Sequence, residues 1–458
     1  MKRLSEIHKV FFIGVAGTGM SAIAQYLAGC GIAVSGSDRY FSAGVADDTR
    51  TKLEACGIRC FEQDGTGITP DTDWVIVSTA VEDTVPEVRK TIELGIPILK
   101  RSELLALIAK SKKTIAVGGT SGKSTTSAML YDILCRGGLN PGIIAGAGLV
   151  SLIRQGKIGN AGVGSGDWLV IEADESDGSI VQYEPEVGLL LNVDKDHQEI
   201  EELMRLFGIF RENTRQLFVV NRSNELAARL SRGSQYDFSA DSGKDSRYSA
   251  EGFSQTGLSI AFSVQGVGFH LDILGRHNME NAVAAIAVAN QLGVPLTVCA
   301  EALASYQGIY RRHQVLGQKR GIWVIDDYAH NPAKCAASIL ACQPVAPRVI
   351  AWFQPHGYGP TRFLRTDFVA EISRALRQDD EIWMSEIFYA GGTAVKDISA
   401  GDLIADIKAT GKRAFFVEDR NDFLEAVRPR LSDDCVLLLM GARDPGLEDF
   451  VKTVWEAL

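Results

Sequence analysis

Short, largely apolar runs alternate along this chain with longer stretches of helical periodicity. The runs include Lys9–Ile13, Ile32–Ser35, Trp74–Val77, the segment ending at Val117, Trp168–Ile171 and Val187–Leu191. They continue with Ile322–Ile325, Val349–Phe353, Glu381–Met384, Ala414–Val417 and Val436–Met440. A strand that is apolar at consecutive positions is covered on both faces, as in parallel sheets flanked by helices. Helical patterns occupy Ser21–Ala28, Ser124–Leu134 and Asn278–Leu292; Gly29 and Gly31 stop the first, and the last is apolar enough to be buried. From Ser234 to Gly266 the chain turns polar and serine-rich with short alternating runs, which predicts a small antiparallel sheet.

The alternation predicts an α/β protein. A chain of 458 residues is long enough for about three domains. The runs fall into three blocks. Residues 1–107 form a Rossmann-like N-terminal domain, 108–314 a central domain of the P-loop ATPase type with a mostly parallel sheet, and 315–458 a Rossmann-like C-terminal domain. With 46% hydrophobic and 23% charged residues, the composition suits large globular cores. The net charge of −10 lacks the basic footprint of nucleic-acid or anionic-membrane binding. No apolar run approaches the ~18 residues that span a bilayer. The eight cysteines include no C-x-x-C pair, which predicts reduced core thiols and a cytoplasmic protein.

The most informative stretch is Gly119-Thr120-Ser121-Gly122-Lys123-Ser124-Thr125. It follows an apolar run and opens a helical pattern. Glycines let backbone N–H groups turn toward phosphate oxygens, Lys123 adds a cation, and Ser124 can hold Mg²⁺. The general phosphate loop would need glycine at 117, where Val117 stands, so the loop is a shorter form. The strand ending at Ile171 runs into Glu172, a suitable oxygen ligand for Mg²⁺; Asp174, Glu175 and Asp177 either share that role or order the loop. His197, taken alone, reads as structural. Asn278 suits a helix cap, and with Asn281 one turn on, a pair of amides can read an adenine edge.

In the first block Gly14-x-x-Gly17-x-Gly19 follows a strand and opens a helix, a setting for a diphosphate. A UDP-sugar fits it better than NAD, with Asp38 placed to bind a ribose or sugar hydroxyl. In the third block Asp326-Asp327-Tyr328-Ala329-His330 and Gln354-Pro355-His356 follow strands. His356 and Arg362 are placed to meet an anionic substrate.

Together these strings resemble the Mur ligases, ATP-dependent amide ligases of peptidoglycan precursor synthesis, in order and over nearly the whole chain. The resemblance implies that Gly14, Gly17, Thr18, Gly19, Met20, Ser37, Asp38, Ser78 and Thr79 bind the UDP-sugar. It implies ATP binding by Gly119–Thr125, Asn278, Asn281, Arg312 and Asp327. Ser124, Glu172 and His197 would hold Mg²⁺, which overrides the structural reading of His197. Lys123, Glu172, His197 and His330 would be catalytic, His330 as a base toward the incoming amine, and His330, His356 and Arg362 would meet the amino acid. The implied partners are UDP-N-acetylmuramate and an amino acid or peptide. Neither nucleic acid nor membrane is expected, and the chain would be a monomer or homodimer. The implied reaction activates the muramate carboxylate as an acyl phosphate and transfers it to an amine.

The strings are most similar to those of the alanine-adding branch, with the peptide-recycling branch a near relative. Departures concentrate toward the C-terminus. Gly357 replaces one arginine of the alanine-adding pattern, a second is displaced or replaced within the segment ending at Arg362, Arg443 replaces a glycine, and Ser121 and Ser124 replace histidine and threonine in the phosphate loop. The alternatives are a ligase for a preformed peptide or a different amine, and a nucleotide-binding regulatory protein without turnover. A dehydrogenase would leave the phosphate loop unexplained.

Overall fold

The computed structural model describes residues 3–42, 44, 47–78, 81–82, 84–195, 198–389, 391 and 395–458. The chain is mixed α/β with mostly parallel sheets and resolves into two compact units. One comprises Met1–Glu251, Ser263–Phe269 and Glu280–Gly308; the other comprises Gly252–Phe262, His270–Met279 and Ile309–Leu458.

The first unit holds two sheets. The N-terminal sheet is parallel throughout, in the spatial order Arg59–Phe61, Ala33–Ser37, Lys9–Ile13, Trp74–Val77, Ile98–Lys100. The next sheet runs Leu217–Val220, Val187–Leu190, Lys113–Gly118, Trp168–Glu172, Gly142–Ile144, Ala161–Gly162, with only the last strand antiparallel. One continuous apolar core joins them, from Phe12 and Ile23 to Ile171 and Phe207. A buried polar cluster pins the first helix beside it. Asn160 Nδ2 donates to Thr18 O at 2.8 Å and Ser21 Oγ at 3.0 Å, and Gln25 Nε2 donates to Asn160 Oδ1 at 2.8 Å.

The second unit is built on the order Gln314–Lys319, Ile322–Asp327, Cys435–Gly441, Arg348–Gln354, Glu381–Met384, Arg413–Phe416, parallel except for its first, edge strand. Apolar clusters cover both of its faces, as its unbroken hydrophobic runs require.

The predicted serine-rich excursion is a four-stranded sheet, Phe238–Ser239, Tyr248–Thr256, Ser259–Val264, Val267–Leu271. It extends past Gly266, and its first pair is parallel rather than antiparallel. Two other differences matter for function. The helices begin earlier than their apolar periodicity, at Thr18 and Lys123, because glycines at 17 and 122 stand at their N-caps and the residues that open them, Thr18-Gly19 and Lys123-Ser124, are not apolar. The strands also run longer than their apolar runs, so Glu172, Asp326 and Asp327 are their last residues instead of following them.

Candidate nucleotide and substrate sites

The strand Lys113–Gly118 lies between two parallel neighbours: Val117 pairs with Glu172 and Gly118 with Leu190. This register delivers Gly119, Glu172 and Asn192 to one edge of the sheet, beyond the carboxyl ends, where α/β proteins bind ligands. Gly119 and Gly122 adopt φ of +135° and +87°. Other residues rarely reach these values, and a Cβ on Gly122 would collide with Asn281 Oδ1. Lys123 opens the helix Lys123–Arg136, whose first-turn N–H groups have no intrahelical acceptor.

Lys123 Nζ donates to Gly119 O at 2.7 Å and to Glu175 Oε2 at 2.6 Å, with Asp174 Oδ1 at 3.9 Å. Burial alone would lower the Lys123 pKa; Glu175 and Asp174 outweigh it and hold the ammonium above its ordinary value. Ser124 Oγ donates to Glu172 Oε2 at 3.0 Å, and Gly146 N donates to Glu172 Oε1 at 2.5 Å. A hydroxyl beside a carboxylate is a hard-oxygen donor set. It fits Mg²⁺, which takes few protein ligands and completes its shell with water and phosphate. Among the described residues, no three His, Cys, Asp or Glu side chains gather as a metal cage. His197, expected as a further ligand, lies outside the described residues. Asp177 pairs with Arg101 at 3.1 Å, so the acidic run divides its work: Glu172 meets Ser124, Glu175 meets Lys123, and Asp177 meets Arg101.

Sequence reasoning assigned no role to Asn192. Its Oδ1 accepts Ser121 N at 2.8 Å and Thr120 Oγ1 at 2.9 Å, and its Nδ2 donates to Ser121 O at 3.1 Å. Asn281 is likewise part of the loop's support, since its Oδ1 accepts Thr126 Oγ1 at 3.2 Å.

In the same unit the first glycine loop is held from the neighbouring strand. Gly14 N and Val15 N donate to Ser37 O at 2.7 and 3.0 Å. Asp38 accepts Ala16 N at 3.0 Å and Tyr40 N at 3.1 Å, one on each carboxylate oxygen. Asp38 therefore braces the loop. Gly17 caps the helix Thr18–Gly29. Met20 is buried in the core, so only its backbone can serve a ligand. The Arg101 stem crosses Gly19, where a Cβ would lie 3.1 Å from Arg101 Cδ. Ser78 follows the strand Trp74–Val77 on the same sheet edge; Thr79 lies outside the described residues.

In the second unit Asp326 and Asp327 staple a turn. Arg311 Nε donates to Asp326 Oδ2 at 2.9 Å, and His313 N donates to Asp327 Oδ1 at 3.0 Å, with Arg311 and His313 at φ +54° and +48°. Burial would raise the Asp327 carboxyl, but His313 and the Ser338 hydroxyl outweigh it and hold it below its ordinary value. Between these staples the Arg312 guanidinium lies 4.7 Å from the Tyr328 ring centroid. His277 packs on His313 with centroids 4.8 Å apart, and burial, then His313, push its pKa down to about 3. Asn278 is not a cap: it is inside the helix, and its Nδ2 donates to Leu274 O at 2.7 Å.

His330 and His356 come together, with centroids 5.6 Å apart. His330 Nδ1 lies 2.9 Å from Tyr328 O. A carbonyl only accepts, so Nδ1 carries the proton and Nε2 is the basic nitrogen. Arg362 is tied elsewhere, to the Asp397 carboxylate and, at 3.1 Å, to Val395 O.

A phosphate loop flanked by a Ser–Glu oxygen pair on a parallel sheet, followed by a second α/β unit, marks an enzyme that spends a nucleoside triphosphate. Three family models match in sequence: the Mur ligase family catalytic domain at residues 9–113, the Mur ligase middle domain at 117–289, and the Mur ligase glutamate ligase domain at 311–443. The UDP-N-acetylmuramate–L-alanine ligase of Acidithiobacillus ferrooxidans is 33% identical over 462 aligned residues, covering 95% of each chain. The enzyme of that name from Carboxydothermus hydrogenoformans is 33% identical, covering 96% of this chain and 95% of its own. Among solved structures, UDP-N-acetylmuramate-alanine ligase of Thermotoga maritima matches with TM-score 0.79 at 27% identity, over 98% of this chain and 100% of that one. A murein peptide ligase of Psychrobacter arcticus shares the fold, with TM-score 0.67 at 20% identity over 98% of both chains. The chain belongs to the Mur ligase family, and its class of activity is ATP-dependent ligation.

Proposed function

We propose that this enzyme joins an amino acid, L-alanine in the favoured reading, to the carboxylate of UDP-N-acetylmuramate, using ATP and Mg²⁺. The observation that carries the chemistry is that one phosphate loop bears both the Lys123 ammonium, at Gly119 O, and the Ser124–Glu172 pair of oxygen groups. The full-length likeness to alanine-adding relatives carries the substrates. In this reading residues 1–107 bind the UDP-sugar, 108–314 bind ATP, and 315–458 bind the amino acid. The protein works in the cytoplasm as a monomer or homodimer.

A muramate carboxylate oxygen attacks the γ-phosphorus, the bond to the β–γ bridging oxygen breaks, and ADP leaves. The amine nitrogen then attacks the acyl carbon, loses a proton, and inorganic phosphate departs. Two anions meet in the first step. Lys123 and the loop N–H groups offset charge on the transferring phosphoryl. Ser124 and Glu172, with His197, would hold Mg²⁺, which supplies further charge neutralisation when bound. In the second step His330 Nε2, fixed as the basic nitrogen, takes the amine proton.

The test is direct. Pure protein is incubated with ATP, Mg²⁺ and UDP-N-acetylmuramate, the amine is varied over single amino acids and the muropeptide tripeptide, and products are identified by mass. A conjugate with L-alanine is expected. A conjugate with the tripeptide alone would select the peptide-adding alternative, and no conjugate with any amine would overturn muramate ligation.

A further inference from the structure

We infer that Asn192 is a positioning residue that presets the phosphate loop before nucleotide arrives. The inference rests on the reading of that loop as the ATP site. A loop that presents N–H groups to phosphates must fix the direction of each peptide plane, and glycines alone do the opposite because they widen the choice of conformations. Asn192 supplies the restraint. It forms a two-point amide pair with one residue: Ser121 N donates to Oδ1 at 2.8 Å and Nδ2 donates to Ser121 O at 3.1 Å. This locks the peptides on both sides of Ser121.

The contact continues around it. Thr120 Oγ1 donates to the same Oδ1 at 2.9 Å and accepts Asp194 N at 3.1 Å, and Thr120 N donates to Asn192 O at 3.3 Å. Register places Asn192 there, since Leu190 pairs with Gly118 and Leu191 N donates to Gly118 O at 3.0 Å. A hydrogen-bonded zipper thus runs off the paired strands into the loop. No other side-chain type of this length matches it. Aspartate lacks the donor and adds an anion beside the phosphates, and leucine has neither donor nor acceptor.

Preorganisation predicts a phosphate-specific effect. An ordering cost removed before binding benefits only ligands that use the ordered segment. Asn192→Ala removes three side-chain hydrogen bonds that hold the loop. ADP and ATP should therefore bind about ten- to a hundredfold more weakly, while adenosine affinity stays unchanged. Thr120→Val cuts only the hydroxyl arm and should give a smaller loss of the same selectivity.

The experiment titrates full-length wild type and both variants with ATP, ADP, adenosine and UDP-N-acetylmuramate. Phosphate-selective weakening with sugar-nucleotide affinity retained supports the inference. Wild-type affinity for ADP in Asn192→Ala, or equal losses for ADP and adenosine, overturns it. Should Asn192→Ala lose its fold, the selectivity of Thr120→Val decides alone. A wild type that binds no ATP would instead remove the ATP-site reading itself, a different failure.

Discussion

Lys123 Nζ and Glu175 Oε2 stand 2.6 Å apart in an ion pair set into the phosphate loop. The ammonium that should meet the β- and γ-phosphates is already matched to a carboxylate. In the proposed reading, nucleotide binding exchanges one anion for another. Glu175→Gln keeps an acceptor but removes the anionic partner of a largely buried ammonium, leaving it Gly119 O and the more distant Asp174 carboxylate, at a cost of about 1–3 kcal/mol to the unliganded protein. The expected outcome is a lower Tm without nucleotide and a larger Tm rise on adding ADP than the wild type shows, because phosphate restores the missing partner. Calorimetric melts of both proteins check it. Equal rises would mean that phosphate does not take the place of the carboxylate.

Glu172 tests the metal reading. Its two oxygens accept Ser124 Oγ and Gly146 N; in a glutamine the oxygen still accepts Gly146 N while Nε2 donates to a reoriented Ser124 hydroxyl, so the side chain keeps its place. An amide nitrogen is no ligand for Mg²⁺. Glu172→Gln should raise the Mg²⁺ concentration needed for half-maximal phosphate release and lower kcat by ~10²–10³. UDP-N-acetylmuramate affinity should stay at the wild-type value. An unchanged Mg²⁺ dependence would remove Glu172 from the metal site.

Much of this was legible in the sequence because parallel-sheet cores print themselves as apolar runs. Lys9–Ile13, Trp74–Val77 and Glu381–Met384 are strands with the bounds their runs predicted. Three-residue strands such as Arg59–Phe61 carry no comparable signal, and polar ends hide from it, which is why Glu172 and Asp327 looked like loop residues. Supports between segments distant in sequence were hidden too. Nothing near Asn192 or Asn160 marks their partners, because each is chosen by register and packing. Composition also could not say that Asp38 spends both oxygens on the backbone, or that Arg362 is committed to Asp397.

Asp132, on the helix that begins at Lys123, gives a pH prediction. Burial raises its carboxyl from 3.8 to about 7. The folded pKa exceeds the unfolded one, so between those values the native state holds a proton that the unfolded chain has lost, and stability falls as pH rises through the window. Asp132→Asn removes the titration. The variant should be more stable than wild type above the window, with the difference closing as pH falls through it. Urea midpoints measured across the window check this. A constant difference at all pH values would show that the carboxyl is not displaced.

His277 should act with the opposite sign. Its ring packs on His313 at 4.8 Å, and burial, then that neighbour, lower its pKa from 6.5 to about 3, with Asp327 opposing. The unfolded chain therefore takes up a proton near 6.5 that the folded chain refuses until about 3. Stability from this group is complete above the unfolded value and is lost as pH falls through the window. His277→Phe keeps a flat ring against His313 and cannot be protonated. Its stability should decline less steeply than the wild type's on acidification, because every other titrating group is common to both chains. Denaturant midpoints of the two proteins, followed from neutral pH downward, measure the difference. Parallel curves would mean that His277 takes up its proton while still folded.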